Sequence, residues 1–163
     1  MLSELQQPGY LHVLINHLPI IGTAMGVVAL LIGLALRSRK ALLPGLAIVL
    51  ISGISAWPVY VTGSDAYKSI RKISDDAGSD WLDEHEDRAD RTIWTFYVMA
   101  GIAGLAIVVP LRWPKAGLPL AAASALAAVV CTGIAGYIAQ PGGLVRHVEF
   151  RPAEITAAEP TPP

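Results

Sequence analysis

The residues in this 163-residue chain best suited to chemistry are its four histidines, His12, His17, His85 and His147. Neutral imidazole ligates haem iron, non-haem iron, copper and zinc, and it titrates near neutral pH. His85 shares a helical stripe with Leu82, Ala89, Ile93 and Phe96, whereas Asp83, Glu84, Asp87, Arg88, Asp90 and Arg91 fall mostly off that stripe. An imidazole there takes an inward position that apolar residues otherwise hold. His147 precedes Glu149 by two residues, so an extended 145–151 segment puts both on one face. His17 lies in Asn16-His17-Leu18-Pro19, which reads as a helix start with Asn16 as the cap and Pro19 in the first turn. His12 sits in the apolar run Leu11-His12-Val13-Leu14-Ile15. Each also has a plain structural reading: a carbonyl-bonded imidazole for His85, an interfacial polar residue for His17, a hydrogen-bonded pair for His147 and Glu149.

The elements that must position these side chains follow from composition. Hydrophobic residues make up 53% and charged residues 15% of the chain, against about 25% charged in a soluble domain. Mean hydropathy is +0.51. A soluble globular domain and a disordered chain are both disfavoured. Four apolar segments, 18–36, 41–61, 92–111 and 116–139, contain no Asp or Glu, and none has a Lys, Arg or His at mid-depth. Each is long enough to cross a hydrocarbon layer of ~30 Å as a helix, the default where the backbone must satisfy its own hydrogen bonds. The expected fold is an all-α integral membrane protein, an antiparallel four-helix bundle in one domain over 1–151, followed by a disordered tail over 152–163. Gly22, Gly26, Ala29 and Gly33 form a small-residue stripe suited to close helix contact, and Gly133 and Gly136 suggest the same for the fourth span.

Charge is sorted by side. Arg37, Arg39 and Lys40 join the first two spans, Arg112 and Lys115 join the last two, and neither loop has an acid. Short basic loops stay in the cytoplasm. This predicts an inner-membrane protein with both termini and the 62–91 loop on the outer, periplasmic side, where all four histidines then fall. Within the outer loop, Ser64 is expected to cap a short amphipathic helix on the membrane surface carrying Ala66, Ile70 and Ile73. A new helix is expected from Ser79 or Asp80, running without a break into the third span. Pro141-Gly142-Gly143 is expected to end the fourth helix and turn the chain back over the bundle mouth.

Four imidazoles at one end suit haem b, held through His17, His85 and His147 and also His12. They equally suit a bare Cu, Fe or Zn ion held by His17, His85 and His147 with Glu86 or Glu149. Other chemistry finds little support. Cys131 is the only cysteine, so there is no internal disulfide and no Cys-x-x-Cys-His haem attachment. His85-Glu86 lacks the second histidine of a zinc-protease motif, and no Gly-x-Ser-x-Gly elbow, dinucleotide fingerprint or Walker motif occurs. A net charge of −1 gives no footprint for nucleic acid. No ionisable residue at mid-span marks an ion pathway. Trp57, Trp81, Trp94 and Trp113, with Tyr60, Tyr67 and Tyr97, read as an interfacial aromatic belt.

Asn16-His17-Leu18-Pro19-Ile20, Thr62-Gly63-x-x-Ala66, His85-Glu86-x-x-Ala89 and Gly142-Gly143-x-x-Arg146-His147-x-Glu149 resemble, in order and spacing, a family of four-helix bacterial membrane proteins of unknown function. The resemblance covers residues 10–151. Some relatives are associated with Rieske-type and other respiratory electron-transfer proteins, which implies a redox setting. The leading expectation is therefore a membrane subunit that binds a redox cofactor in respiratory electron transfer. Its partners would be membrane lipid and a respiratory complex or a small periplasmic cytochrome docking on the acidic outer loop. The alternatives are a structural or assembly subunit in which the same residues tie loops together, and an imidazole-based pH sensor.

Overall fold

The structure, a computed structural model, describes residues 7–152. Every regular element among them is helical. Helix α1 (Pro8–Ile15) leads into α2 (His17–Ala35), then come α3 (Arg39–Arg71), α4 (Asp76–Thr92), α5 (Trp94–Val108) and α6 (Gly117–Leu144). Short 3-10 turns cover Val109–Leu111, Pro114–Ala116 and Val148–Phe150. Four helical stretches, Pro8–Ala35, Arg39–Arg71, Asp76–Leu111 and Pro114–Leu144, are long and apolar enough to cross a membrane. They pack in a ring in the order α2, α3, α5, α6, with α1 laid against α3 and α4 against α6. The arrangement is that of a membrane helical bundle.

The core is built from small side chains around a few large ones. Leu30, Val49, Met99, Ala103, Ala121 and Ala128 are fully buried. Outward-facing positions are apolar too: Ile21, Met25, Val28 and Leu31 on α2, and Leu126, Val129 and Val130 on α6, are all at least half exposed. A lipid surround tolerates that pattern, and association then rests on close packing. The α2–α3 seam supplies it. A Cβ on Gly26 would lie 2.6 Å from the Val49 side chain, one on Gly33 2.8 Å from Leu42, and one on Gly45 2.9 Å from the Leu30 backbone. The glycine stripe of the first span is therefore an internal contact. Gly133 and Gly136 are not: nothing lies within 4 Å of a Cβ at either position.

The segment after residue 61 departs from the expected loop. No separate surface helix begins at Ser64; α3 runs unbroken for 33 residues, or about 50 Å. Gly63 and the interior Pro58 are accommodated within it. The segment carrying Ala66 and Ile70 is thus a continuation of α3. Helix α4 starts three residues earlier than expected, because the Asp75 carboxylate accepts the Gly78 amide hydrogen and caps it. A single turn residue, Ile93, separates α4 from α5. Nor does Pro141-Gly142-Gly143 end the fourth helix, which continues to Leu144. Pro141 has no amide hydrogen for the Tyr137 carbonyl, and Arg88 Nη1 donates to that carbonyl instead at 2.8 Å. The helix passes its proline because a neighbouring helix satisfies the freed acceptor.

After α6 the chain folds back over this end. Arg151, 8% exposed, donates to the Leu144 and Val145 carbonyls and to Asp75 Oδ2 at 2.9, 2.8 and 2.7 Å. The return at 145–151 is thereby tied to the start of α4. The tail expected over 152–163 lies, from residue 153 on, outside the described residues.

Two outcomes follow. Gly53→Val forces a side chain onto the Phe96 carbonyl and Ala100, where a Cβ would stand 2.6 and 2.8 Å away, and should destabilise the bundle by about 1–3 kcal/mol. Gly133→Ala, with open space around it, should be neutral or stabilising by up to ~1 kcal/mol; thermal unfolding in detergent reads both. The Arg151 guanidinium and the Gly78 amide also hold the Asp75 carboxyl below its ordinary pKa. The clamp's contribution is full above the ordinary carboxylate range of about pH 4 and is lost as pH falls through the lower folded value. Limited proteolysis at 145–151 should therefore accelerate only in acid, and Asp75→Asn should remove that dependence.

Candidate functional site

All four histidines line one cavity of about 680 Å³ at the extended end of the bundle. Ile20, Ala56, Ile93 and Phe96 lie toward the spans, Leu82 and Ile70 form part of its sides, and Arg146 stands with His147 among the lining residues. The lining is mostly apolar, as expected of a site for a flat hydrophobic ligand.

Two of the histidines are held in the same way by the two halves of the chain. On α1, His12 Nδ1 lies 2.9 Å from the Val59 carbonyl of α3. On α4, His85 Nδ1 lies 2.7 Å from the Ile138 carbonyl of α6. Four residues past each carbonyl comes a glycine against which the ring rests. A Cβ on Gly63 would be 2.9 Å from His12 Cε1, and one on Gly142 would be 2.9 Å from His85 Nδ1. Each half thus delivers one imidazole from its first helix, oriented by a carbonyl and seated on a glycine of its last. A carbonyl oxygen only accepts, so Nδ1 carries a hydrogen in both rings, and in the neutral ring the lone pair is on Nε2. Neither Nε2 has a hydrogen-bond partner among the described residues. An outer hydrogen bond at Nδ1 fixes the tautomer of an imidazole whether or not Nε2 takes a ligand.

The two rings face the same space. Their centroids are 6.3 Å apart with planes at 81°. Donor number then separates the possible occupants. Among the described residues, no group of three His, Cys, Asp or Glu side chains stands close enough to hold an ion. A bare Zn, Fe or Cu(II) ion would lack ligands. Haem, were it bound, would need only two protein ligands, which His12 and His85 would supply. The buried Asn16 Oδ1, which lacks a hydrogen-bond partner, belongs to a residue on the same cavity wall. Of the four imidazoles, His12 and His85 are the two that are partly buried, each tied to a carbonyl of another helix.

The other expected site residues stand differently. His17 is exposed, and its Nδ1 turns back to the Val13 carbonyl at 3.2 Å. His147 is exposed, bonded to Glu149 Oε1 at 2.9 Å and stacked at a tilt on Phe150. The 145–151 segment is a turn and a 3-10 helix rather than extended, so that pair is a surface contact. Its imidazole holds the Glu149 carboxyl below its usual pKa. Glu86 lines the cavity and Glu149 does not. Asn16 makes no capping hydrogen bond to α2. The break between α1 and α2 has another cause in Pro19, which leaves the Ile15 carbonyl no amide partner.

Around the site, Tyr60 donates to Asp90 at 2.9 Å. Tyr67 donates to Asp83, which Arg71 also engages. Arg88 spans Glu84, Gln140 and the Tyr137 carbonyl and lies 4.2 Å over the Tyr137 ring. Tyr60 and Tyr67 are therefore braces of the cavity wall rather than members of an aromatic belt. Trp57, Trp94 and Trp113 stay well exposed, as a belt requires.

Comparison with known proteins finds no matching family model, no matching curated sequence and no matching solved structure.

The glycine seats give a direct test. Gly142→Ala favours the α6 helix by up to ~1 kcal/mol in propensity, yet its methyl group must displace the His85 ring. Losing the His85–Ile138 tie offsets that gain, so Tm should stay within a few degrees of the parent while any ligand held by His85 binds at least tenfold more weakly; Gly63→Ala should do the same through His12. Unchanged ligand retention in both would show that the rings do not depend on these seats.

Proposed function

We propose that the protein is a membrane subunit that holds one haem b between His12 and His85 and serves in electron transfer at the outer face of the membrane. The observation that carries this reading is the matched pair of carbonyl-oriented imidazoles, 6.3 Å apart over a mostly apolar cavity. When bound, the haem supplies a one-electron couple whose potential the axial ligands and their outer hydrogen bonds tune. The chain's own residues do the rest. The Val59 and Ile138 carbonyls fix the Nδ1–H tautomer and raise the basicity of Nε2. The flanking Ile20, Ile93 and Phe96 keep water away. Arg146, whose one side-chain hydrogen bond among the described residues runs to the Ile73 carbonyl at 3.3 Å, offers a cation near acidic groups on a ligand's edge.

The sorting of charge supports an orientation with the 36–40 and 112–116 turns in the cytoplasm and the histidine end in the periplasm of a bacterial inner membrane. Several acids of the outer end are already engaged internally: Asp75 with Arg151, Asp83 with Arg71, Glu84 with Arg88 and Asp87 with Arg91. Asp65, Asp76 and Asp80 make no ion pair among the described residues and are available to a basic electron-transfer partner.

A second reading draws on the same hydrogen bonds. An imidazole bonded to the carbonyl of a neighbouring helix is also a purely structural tie, so His12 and His85 would then fasten α1 to α3 and α4 to α6 in an assembly subunit. An absorbance spectrum of the purified protein, with iron, copper and zinc analysis, separates the two. The haem reading predicts a Soret band and one iron per chain, lost in His12→Ala and His85→Ala and kept in His17→Ala and His147→Ala. No Soret band and no stoichiometric metal would leave the structural tie. One copper per chain without a Soret band would put a two-coordinate cuprous ion between the rings.

A further inference from the structure

The opposite end of the bundle holds a second cavity of about 220 Å³, lined by Arg37, Arg39, Leu42, Leu46, Pro114 and Gly117. It lies between the α2–α3 turn and the turns that lead into α6. Five cations gather at this end, Arg37, Arg39, Lys40, Arg112 and Lys115, and no Asp or Glu occurs anywhere in 5–64 or 91–148. Arg39 is pinned by a 2.9 Å hydrogen bond from Nη2 to the Ile107 carbonyl of α5. Arg37 has no side-chain hydrogen bond or ion pair among the described residues.

The backbone at Arg37 is the second observation. Its φ is +47°, the one positive value at a non-glycine position among the described residues. Its amide bonds the Leu34 carbonyl, and the Ser38 amide bonds the Gly33 carbonyl, closing the end of α2. Glycine is the usual residue at such a left-handed helix end, because a Cβ there meets the following carbonyl. An arginine kept in a strained position beside a cationic cavity points to a role for its side chain.

We propose that this cavity binds the phosphate of an anionic phospholipid through Arg37 and Arg39. Guanidinium groups form paired hydrogen bonds to phosphate oxygens, and basic pockets between helices at a membrane surface are suited to acidic headgroups. Leu36, Leu111 and Trp113 stand exposed beside the loops, where glycerol and acyl chains would lie. The proposal does not depend on the histidine site.

The test is thermal unfolding of the full chain in a neutral detergent, with added phosphatidylglycerol, added phosphatidylcholine, or inorganic phosphate at matched concentration. Phosphatidylglycerol should raise Tm by several degrees, and the other two should not. Arg37→Gly relieves the strained backbone, so its Tm without lipid should equal or exceed that of the parent. Its rise with phosphatidylglycerol should fall by half or more, whereas Lys40→Gln, which removes the same charge away from the cavity, should keep the full rise. Equal rises in the parent and in Arg37→Gly, or equal rises with phosphatidylglycerol and phosphatidylcholine, would overturn the proposal. An equal rise with inorganic phosphate would replace the lipid by a free anion.

Discussion

The histidine-bearing end of this protein turns on one interaction made twice: an imidazole N–H donated to a main-chain carbonyl of a neighbouring helix. The His12–Val59 and His85–Ile138 hydrogen bonds each do three things. They fasten a peripheral helix to a long spanning one, they fix which ring nitrogen carries the hydrogen, and they leave the other nitrogen free. A helical carbonyl is normally engaged along its own helix, so an outside donor needs close access. Gly63 and Gly142 provide it, since a methyl group at either position would meet the ring. The constraint is steric before it is electronic.

That interaction in turn requires helices that overrun the membrane. A span of about 20 residues crosses the hydrocarbon layer, and α3 has 33 residues. The surplus carries Gly63 and the wall residues Ala66 and Ile70 above the apolar core. On α6 the surplus includes Pro141, which would ordinarily stop or kink the helix. Arg88 relieves the defect by bonding the Tyr137 carbonyl, one residue before the carbonyl that His85 uses. Two side chains of α4, one helical turn apart, thus hold adjacent carbonyls of α6. The Asp75–Arg151 clamp closes the same corner from above.

Much of the architecture was legible in the sequence, and the reasons are physical. Uncharged segments of about 20 residues have few alternatives to spanning helices, and the glycine stripe on α2 reads as close contact because only small residues permit it. The helix ends were harder to read. Ser64 looks like a cap and Pro141-Gly142-Gly143 like a stop. Local propensity lost to tertiary contacts in both places, through an uninterrupted α3 and through Arg88. At the site, a convergence of four histidines was legible, but their ranking was not. His12, in its apolar run, gave the weakest signal and forms a ring pair with His85. His17 and His147, in more distinctive motifs, stay at the exposed margin. The deciding partners are backbone carbonyls, which carry no residue signature. Only the glycines four residues beyond them leave a mark in the sequence, and that mark becomes readable once the two halves are superposed in thought.

Electron paramagnetic resonance of the oxidised, purified protein addresses the proposed haem iron between His12 and His85 most directly. Two axial imidazoles make ferric haem low-spin, so the account predicts a low-spin signal with nitrogen ligation that disappears when either His12 or His85 is replaced. A high-spin signal, or a low-spin signal indifferent to those two replacements, would contradict it.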